Sequence, residues 1–241
     1  MTAQLLNGIM KHAKGQFKRA LYGQFAQIGK ALASSWRIEM IELLAQAERT
    51  VEQISRELDI PVSNASQHLQ VLRRARLVEV TRDGLYARYR IADESVFRLW
   101  RTMRDLGEKR LAEIERILAT YLEERDSLEA VSIEELQRRL RDGSVQVLDV
   151  RPAAEYESGH IAGALSFPIA GLKANLRKIP RNRDIVVYCR GPYCILSDEA
   201  VRLLKGAGFR SRRLVVGFPD WRERGLPVAI GRHASARAGE G

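Results

Sequence analysis

The sequence predicts an α+β domain followed by an α/β domain with a parallel sheet, and three observations lead to this assignment. Residues 1–126 have almost continuous helical patterning with one short pair of strands. From Val131 onward, runs typical of buried strands alternate with helical runs. The length of 241 residues fits one or two domains of ~150 residues each. We therefore predict domains at 1–126 and 127–230, with a small, polar and disordered tail at 231–241.

The composition excludes several classes of protein. Hydrophobic residues make up 45% of the chain, which is enough for packed cores. The net charge of +10 is shared between both halves, so basicity alone does not identify a nucleic-acid-binding half. No run approaches the ~18 consecutive apolar residues of a membrane helix, and the first residues lack the pattern of a secretory signal. Cys189 and Cys194 are the only cysteines, which predicts a cytoplasmic protein whose thiols are kept for chemistry, with no membrane partner.

Residues 50–77 predict two short helices separated by a tight turn. The apolar residues of TVEQISRELDI fall on one helical face, and Thr50 is a suitable N-cap. We expect Pro61 to stop this helix and Ser63 to cap the next one. The predicted buried stripe of the second helix is Ala65, Leu69, Leu72 and Leu77. This arrangement is typical of a helix-turn-helix motif, in which the second helix enters the major groove of DNA.

The second helix and the residues after it carry candidate DNA contacts. Polar side chains near the helix start could bind bases or phosphates: Ser63, Asn64, Ser66, Gln67 and Gln70. The next run, VEVTRDGLYARYRI, predicts a hairpin that turns at Asp83-Gly84. Arginines on the helix and on this hairpin, a basic wing, could neutralise phosphates: Arg73, Arg74, Arg82, Arg88 and Arg90.

The segment QISRELDIPVSNASQHLQVLRRARLVEVTRDGLYARYRI resembles the ArsR/SmtB family of winged helix-turn-helix repressors, over roughly residues 20–125. The resemblance implies a homodimer that binds double-stranded operator DNA. Apolar residues at helical spacing further along could form core or dimer interface: Phe97, Trp100, Met103, Leu106, Ile114, Ile117 and Tyr121. The first domain has no cysteine and its last long helix no histidine, so we expect no metal site. A winged helix used only for protein contact is the alternative.

In the second half, a cysteine follows directly on a buried strand. The run Asp184 to Tyr188 ends at Cys189, and the loop CRGPYC leads into a helix. Other strands are predicted at Val145 to Val150 and around Arg213 to Val216. At the carboxyl end of a parallel strand, the loop N–H groups and the next helix favour a thiolate. Arg190 adds a positive charge beside it.

Three motifs in the second half resemble rhodanese sulfurtransferases: VLDVRPAAEYESGHIAGALSFP, IVVYCRGPYC and GFPDWRERGLP, over roughly residues 130–230. The fold class is then an α+β winged helix-turn-helix domain followed by an α/β rhodanese-like domain with a parallel sheet. The resemblance implies that Cys189 attacks a small sulfur donor, such as thiosulfate or a persulfide, and carries the sulfur without a cofactor. The active-site loop would be completed by Gly191, Pro192 and Tyr193. The residues expected to hold the site together are Asp149, Arg151 and His160, with Trp221 in the core.

The loop departs from the rhodanese pattern at its end, where Cys194 stands in place of an arginine or threonine. Ser197 is a natural N-cap, so we expect the helix to start late and the loop to be about two residues longer than in a simple sulfurtransferase. A longer loop could accept a larger oxyanion. Cys194 is either a small buried side chain or a resolving thiol, and the sequence leaves both open.

These observations favour a DNA-binding transcription regulator whose rhodanese-like domain carries or senses sulfane sulfur at Cys189, with Arg190 and Cys194 as further candidates for the chemistry. A working sulfurtransferase, with the winged helix as a dimerisation or targeting module, is the alternative. An oxyanion reductase is a third possibility. Whether the chain turns over as an enzyme is left open.

Overall fold

The computed structural model describes residues 3–84, 86–122 and 128–231. The chain forms two compact units, the first comprising Met1–Ile41 with Arg49–Asp93 and the second comprising Glu42–Glu48 with Glu94–Gly241. The predicted domain boundary at 126/127 and the predicted tail beyond Gly231 lie outside the described residues. Among the described residues, no helix is long and apolar enough to span a membrane.

The first unit is helical with a small antiparallel sheet. Its elements are α1 (Ala3–Leu32), α2 (Ser35–Gln46), β1 (Arg49–Thr50), α3 (Val51–Glu57), α4 (Val62–Arg74), β2 (Val78–Asp83) and β3 (Tyr86–Ile91). The last part of α2, Glu42–Gln46, belongs to the second unit. The sheet order is β1-β3-β2, with Val78 opposite Ile91 and Asp83 opposite Tyr86. The hairpin predicted at Asp83-Gly84 is confirmed, and β1 is a strand that the sequence patterning did not indicate.

The start of α3 is fixed by the predicted N-cap. The Thr50 hydroxyl accepts a hydrogen bond from the Gln53 N–H, and the Gln53 side chain accepts one from the Thr50 N–H at 2.9 Å. The prediction that Pro61 stops the helix is wrong. α3 ends earlier because Asp59 adopts a left-handed conformation (φ 51°) and the Ile60 N–H donates to the Ser55 carbonyl.

The predicted cap of α4 is also wrong, although the predicted buried stripe is right. α4 begins at Val62, and the Ala65 N–H already donates to the Pro61 carbonyl at 3.0 Å, so Ser63 lies inside the first turn. The preset φ of Pro61, −57°, suits the residue that leads into a helix. The stripe residues are all buried: Ala65, Leu69, Leu72 and Leu77.

The second unit contains a five-stranded parallel sheet, which confirms the predicted α/β class. Its elements are α5 (Glu94–Arg110), α6 (Ala112–Tyr121), β4 (Ala130–Val131), α7 (Ile133–Arg141), β5 (Val145–Asp149), α8 (Ala153–Ser158), β6 (His160–Ile161), β7 (Leu165–Ser166), α9 (Ile169–Asn175), β8 (Asp184–Tyr188), α10 (Ile195–Gly206), β9 (Ser211–Leu214), α11 (Phe218–Glu223) and β10 (Val228–Ala229). The strand order is β4-β9-β8-β5-β7, and β6 pairs separately with β10.

Apolar side chains cover both faces of this sheet, as a parallel sheet requires. Along β8 the side chains alternate: Val186 and Tyr188 lie in one core cluster, and Val187 and Cys189 lie in the other. Trp221 packs in the first cluster and is 1% exposed, which confirms its predicted place in the core. Tyr188 and Cys189 therefore lie on opposite faces of the sheet, at the carboxyl end of β8.

The apolar stripe predicted in α5 and α6 is buried only in part. Phe97 is 2% exposed, whereas Leu106, Ile117 and Tyr121 are 58%, 55% and 80% exposed. Its exposed members contribute little to the core of the single chain.

Candidate functional site

Cys189 lies at the carboxyl end of β8, the middle strand of the parallel sheet. Its side chain is 2% exposed, and its carbonyl accepts a hydrogen bond from the Phe218 N–H at 3.2 Å. The flanking strands β5 and β9 run parallel to β8, so their following loops meet at the same edge. In open α/β sheets, this edge is where ligands bind.

The loop after Cys189 is short and closes directly into a helix. The Cys194 N–H donates to the Gly191 carbonyl at 3.2 Å, and α10 begins at the next residue, Ile195. The expectation that Ser197 caps a late helix is wrong, because Ser197 lies inside the first turn and its hydroxyl donates to the Cys194 carbonyl at 3.1 Å. The prediction of two extra loop residues depended on a helix start at Ser197. Because α10 starts at Ile195, that prediction is wrong, and the larger oxyanion expected from a longer loop loses its basis.

The two cysteines are joined by a disulfide bond in the structure. Their Cα atoms are 6.4 Å apart, within the ~4.4–6.8 Å range of disulfides in proteins. Cys189 is buried and Cys194 is half-buried. The thiol at the end of the loop is therefore within reach of the thiol at its start.

Arg190 forms an ion pair that directs its charge to one specific partner. Its guanidinium binds both carboxylate oxygens of Glu155, with Nε at 3.0 and 3.2 Å and Nη2 at 2.5 Å. The Glu155 side chain is only 2% exposed, so this bidentate pair is held in place by burial. The positive charge that the sequence predicts beside Cys189 is therefore paired with this carboxylate.

A buried network lies behind the loop and includes two of the predicted supporting residues. The Arg151 guanidinium is fully buried and binds the Asp149 carboxylate, the Gly159 carbonyl and the face of Phe218. The Tyr188 hydroxyl donates to Asp149 Oδ2 at 2.5 Å. Burial, and then the nearby Asp149 charge, raise the pKa of Tyr188 well above its ordinary value. Burial alone would lower the pKa of Arg151, but Asp149 outweighs it and raises the pKa overall.

The third predicted supporting residue, His160, lies beside the network rather than in it. Its ring stacks on Tyr156 with centroids 3.7 Å apart, and Nδ1 lies 2.8 Å from the Tyr156 carbonyl oxygen. His160 is fully buried. These contacts pack α8 against β6, and the supporting role of His160 at the site stays a prediction.

In the first unit, α4 exposes most of the predicted DNA-contacting side chains. Ser63, Asn64, Gln67 and Gln70 are exposed, and Ser66 is half-buried. The candidate arginines are exposed except for half-buried Arg88, and they comprise Arg73, Arg74, Arg82, Arg88 and Arg90. Arg90 pairs with Glu79 across the hairpin at 2.7 Å. α4 therefore presents a polar, basic face.

Within the described ranges, no group of three or more His, Cys, Asp and Glu residues could hold a metal ion.

Comparison with known proteins identifies both parts of the chain. Residues 34–80 match the model of bacterial regulatory proteins of the arsR family, and residues 132–224 match the rhodanese-like domain. The HTH-type transcriptional regulator Rv0324 of Mycobacterium tuberculosis is 42% identical over 214 residues, which are 89% of this chain and 94% of that protein. The chain belongs to the arsR family of regulators and carries a rhodanese-like domain. This confirms both resemblances that the sequence motifs indicated.

Further similarities of this arsR-family regulator cover one half at a time. A sulfurtransferase of Allochromatium vinosum is 33% identical over 99 residues, 41% of this chain and 92% of that protein. A solution structure of the homodimeric winged helix-turn-helix DNA-binding domain of Mb0332 from Mycobacterium bovis is 41% identical, with a TM-score of 0.38. That structure covers 39% of this chain, and 87% of its own chain is matched.

Sequence reasoning missed a glutamine that contacts the loop after Cys189. Gln46, 1% exposed, donates from Nε2 to the Arg190 carbonyl at 2.9 Å and accepts at Oε1 from Arg151 Nη1 at 3.2 Å. It therefore joins the loop to the buried network. No local pattern could have revealed it, because its partners lie 144 and 105 residues away in the sequence.

A glycine and a glutamate at the loop were also missed. A Cβ atom on Gly217 would lie 2.0 Å from the Arg190 carbonyl oxygen, so only glycine allows this approach of two backbones. The Tyr193 hydroxyl donates to Glu108 Oε1 at 2.6 Å. Burial, and then this hydrogen bond, raise the pKa of Tyr193 far above its ordinary value. Gly217 stands in the GFPDW motif and could have been found there, whereas Glu108 gave no signal.

Proposed function

We propose that this arsR-family regulator binds double-stranded operator DNA as a homodimer, and that its rhodanese-like domain carries or senses sulfane sulfur at Cys189. The observation that carries the proposal is the pairing of Cys189 with Cys194 at the carboxyl edge of the sheet, with Cα atoms 6.4 Å apart. A nucleophilic thiol with a second thiol in reach can respond reversibly to a sulfur donor.

Transfer of sulfur to Cys189 needs no oxidant other than the persulfide donor itself. The Cys189 thiolate attacks the outer sulfur of a persulfide R–S–SH, the S–S bond breaks, and the thiolate R–S⁻ leaves. Cys189 then carries a persulfide. Cys189 stands at the start of the loop that leads into α10, and loop N–H groups and a helix N-terminus both favour an anionic sulfur. No general base is required, because the nucleophile reacts as the thiolate.

Cys194 gives the persulfide an intramolecular exit. Its thiolate attacks the inner sulfur at Cys189, which forms the Cys189–Cys194 disulfide and releases HS⁻. The donor is the oxidant in this sequence, and the protein passes from dithiol to persulfide to disulfide. In this proposal, the Cys189–Cys194 disulfide is the end product of the reaction sequence. We therefore assign Cys194 as the resolving thiol.

The DNA-binding part of the proposal is supported by the exposed polar and basic face of α4 and the hairpin. Asn64, Gln67 and Gln70 carry side chains suited to bases, and Arg73 and Arg74 carry charges suited to phosphates. A regulator of this kind requires that DNA affinity differ between the dithiol form and the sulfur-loaded or disulfide form.

The test follows sulfur and DNA binding on the same samples. Reduced protein is exposed to a persulfide, its cysteine-containing peptides are identified by mass spectrometry, and its affinity for operator DNA is measured at fixed salt. We expect Cys189 to gain sulfur and the disulfide to follow, with a change in DNA affinity. Cys194→Ser should stop at the persulfide, and Cys189→Ser should show neither product.

A Cys189→Ser protein that responds on DNA like the unmodified protein would refute the proposal. Steady sulfur transfer to an added thiol, in the absence of specific DNA binding, would instead indicate the sulfurtransferase.

A further inference from the structure

A cavity of about 810 Å³ lies beside the active-site loop, with Pro192 and Tyr193 of the loop in its lining. Among the described residues, the charged ones in its lining are Glu108, Glu115 and Arg213. Arg213 Nε lies 3.7 Å from the carboxylate of Asp198. The described lining of this cavity therefore carries two carboxylates, and its arginine lies close to the Asp198 carboxylate.

The cations nearer the loop are also matched with carboxylates. Arg190 forms its bidentate pair with buried Glu155. Behind the loop, the Arg151 guanidinium binds Asp149. From α5, Arg104 donates to Asp220 at 2.7 Å, and both side chains are nearly buried. Each of these guanidinium groups is oriented by its own carboxylate, so none is positioned to bind an anionic substrate.

Two carboxylates contact the loop itself. Glu108 accepts the hydrogen bond of the Tyr193 hydroxyl at 2.6 Å. A Cβ atom on Gly191 would lie 3.0 Å from the Glu42 carboxylate oxygen. The loop between the cysteines, Arg190 apart, has only the uncharged side chains of Gly191, Pro192 and Tyr193. Negative charge thus approaches the loop from two sides.

The start of α10 acts in the opposite direction, because a helix N-terminus attracts anions. Here its effect is reduced in two ways. Asp198 lies in the first turn, and its carboxylate already interacts with the partial positive charge of the helix N-terminus. The Cys194 N–H is already bound to the Gly191 carbonyl within the loop. The loop can stabilise one thiolate or persulfide anion, but its own cation, Arg190, is already bound to Glu155 and is not placed to bind a second anionic group.

From this distribution of charge we infer that the site accepts sulfur from hydropersulfides of low charge and discriminates against the thiosulfate dianion. The inference rests on the proposed function and names its donor class. With a hydropersulfide, Cys189–S⁻ and R–S–SH give Cys189–S–SH and R–S⁻. With thiosulfate, the same thiolate would have to react with a dianion at a loop that the Glu108 and Glu42 carboxylates approach, and release sulfite.

The test compares the two donors at equal concentration on reduced full-length protein. The rate at which Cys189 gains sulfur is measured by rapid quench and mass spectrometry, with an alkyl hydropersulfide as one probe and thiosulfate as the other. Each loading rate is divided by the rate at which the same donor reacts with a free thiol. After this normalisation, we expect the hydropersulfide to load Cys189 about tenfold faster than thiosulfate, or more.

Two variants remove carboxylates and should relax the discrimination. Glu155→Gln releases Arg190 from its partner, and Glu108→Gln removes a charge from an exposed position that does not threaten folding. Each should raise the thiosulfate rate, relative to the hydropersulfide rate of the same variant, by about threefold to tenfold. Glu134→Gln, exposed on α7, is the matched control and should change neither rate.

The outcomes separate the two proposals. The donor inference is overturned, while sulfur loading stands, if the normalised rate for thiosulfate equals that for the hydropersulfide. It is also overturned if both Glu108→Gln and Glu155→Gln leave the ratio of the two donor rates unchanged. If neither donor loads Cys189, the proposed function itself fails.

Discussion

Gln46 is predicted to be worth several kcal/mol to the second unit, although it lies far in sequence from the loop that it contacts. The perturbation is Gln46→Leu, which keeps a similar size and removes both hydrogen-bonding groups. The Arg190 carbonyl loses a donor at 2.9 Å, and the buried Arg151 guanidinium loses an acceptor at 3.2 Å. Gln46 is 1% exposed, so water does not replace either partner freely.

The magnitude follows from the two groups left without their partner. An unsatisfied buried carbonyl costs about 1–3 kcal/mol, and a hydrogen bond to a charged group is worth about 1.5–3 kcal/mol. The apolar leucine recovers part of this through burial. We therefore expect a net loss of about 2–4 kcal/mol, which for a unit of this size lowers the melting temperature by about 5–12 °C.

The assay is thermal and denaturant unfolding of the reduced full-length protein. Gln137→Leu, at a half-buried position on α7, is the matched control and should stay within about 0.5 kcal/mol of the unmodified protein. Gln46→Glu keeps an acceptor for Arg151 but loses the donor to Arg190, so it should fall between the two. A Gln46→Leu protein as stable as the control would show that the bridge contributes nothing.

Four further substitutions probe other parts of the structure. Gly217→Ala should cost at least about 2 kcal/mol and slow sulfur loading, because its Cβ would lie 2.0 Å from the Arg190 carbonyl oxygen. Gly206→Ala, with no atom within 4 Å of its Cβ, should be neutral or slightly stabilising in the same unfolding assay, and equal behaviour of the two would contradict the argument. The Arg139 hydrogen bond lowers the pKa of Asp184 from its ordinary 3.8, so its ionised form stabilises the fold above that value. Asp184→Asn should therefore cost up to about 1 kcal/mol near neutral pH, and the difference should disappear as the pH falls through the lowered pKa; a constant difference in acid unfolding would refute this. Leu69→Ala, at a fully buried position of α4, should cost about 2–5 kcal/mol and weaken DNA binding in a titration at fixed salt, and unchanged stability would mean that the stripe is not a core.

The two domain classes could be predicted because they depend on periodic burial. Leu69 and Leu72 recur at helical spacing in α4, and both are fully buried. The run from Ile185 to Tyr188 is apolar because β8 is covered on both faces. In each case the pattern reports a large hydrophobic free energy that the tertiary structure does not override.

Helix caps were predicted less well, because a cap is worth little compared with packing. Ser63 and Ser197 both have the side chain of a good cap, yet each lies inside the first turn of its helix. At α10 the turn from Gly191 to Cys194 and the packing of Leu196 against the core set the start instead. A preference of about 1 kcal/mol yields to those contacts.

The partners within the site could not be predicted, because they are set by the folded chain alone. The motif containing Arg190 indicates a positive charge beside the thiolate. Only the structure shows that this charge is bound by Glu155, and that Glu108 reaches the loop from α5. The chemistry of the site thus depends on pairings between residues that no sequence motif links.

The contact between Gln46 and the loop has a practical consequence for attempts to dissect the chain. A fragment that begins after residue 126 would contain the whole match to the rhodanese-like domain, which spans residues 132–224. It would nevertheless lack Gln46, Arg104 and Glu108, and with them the groups that hold the Arg190 carbonyl, Asp220 and Tyr193. A weak sulfur reaction of such a fragment would reflect its altered loop. The activity of the intact regulator should therefore be measured on the full-length chain.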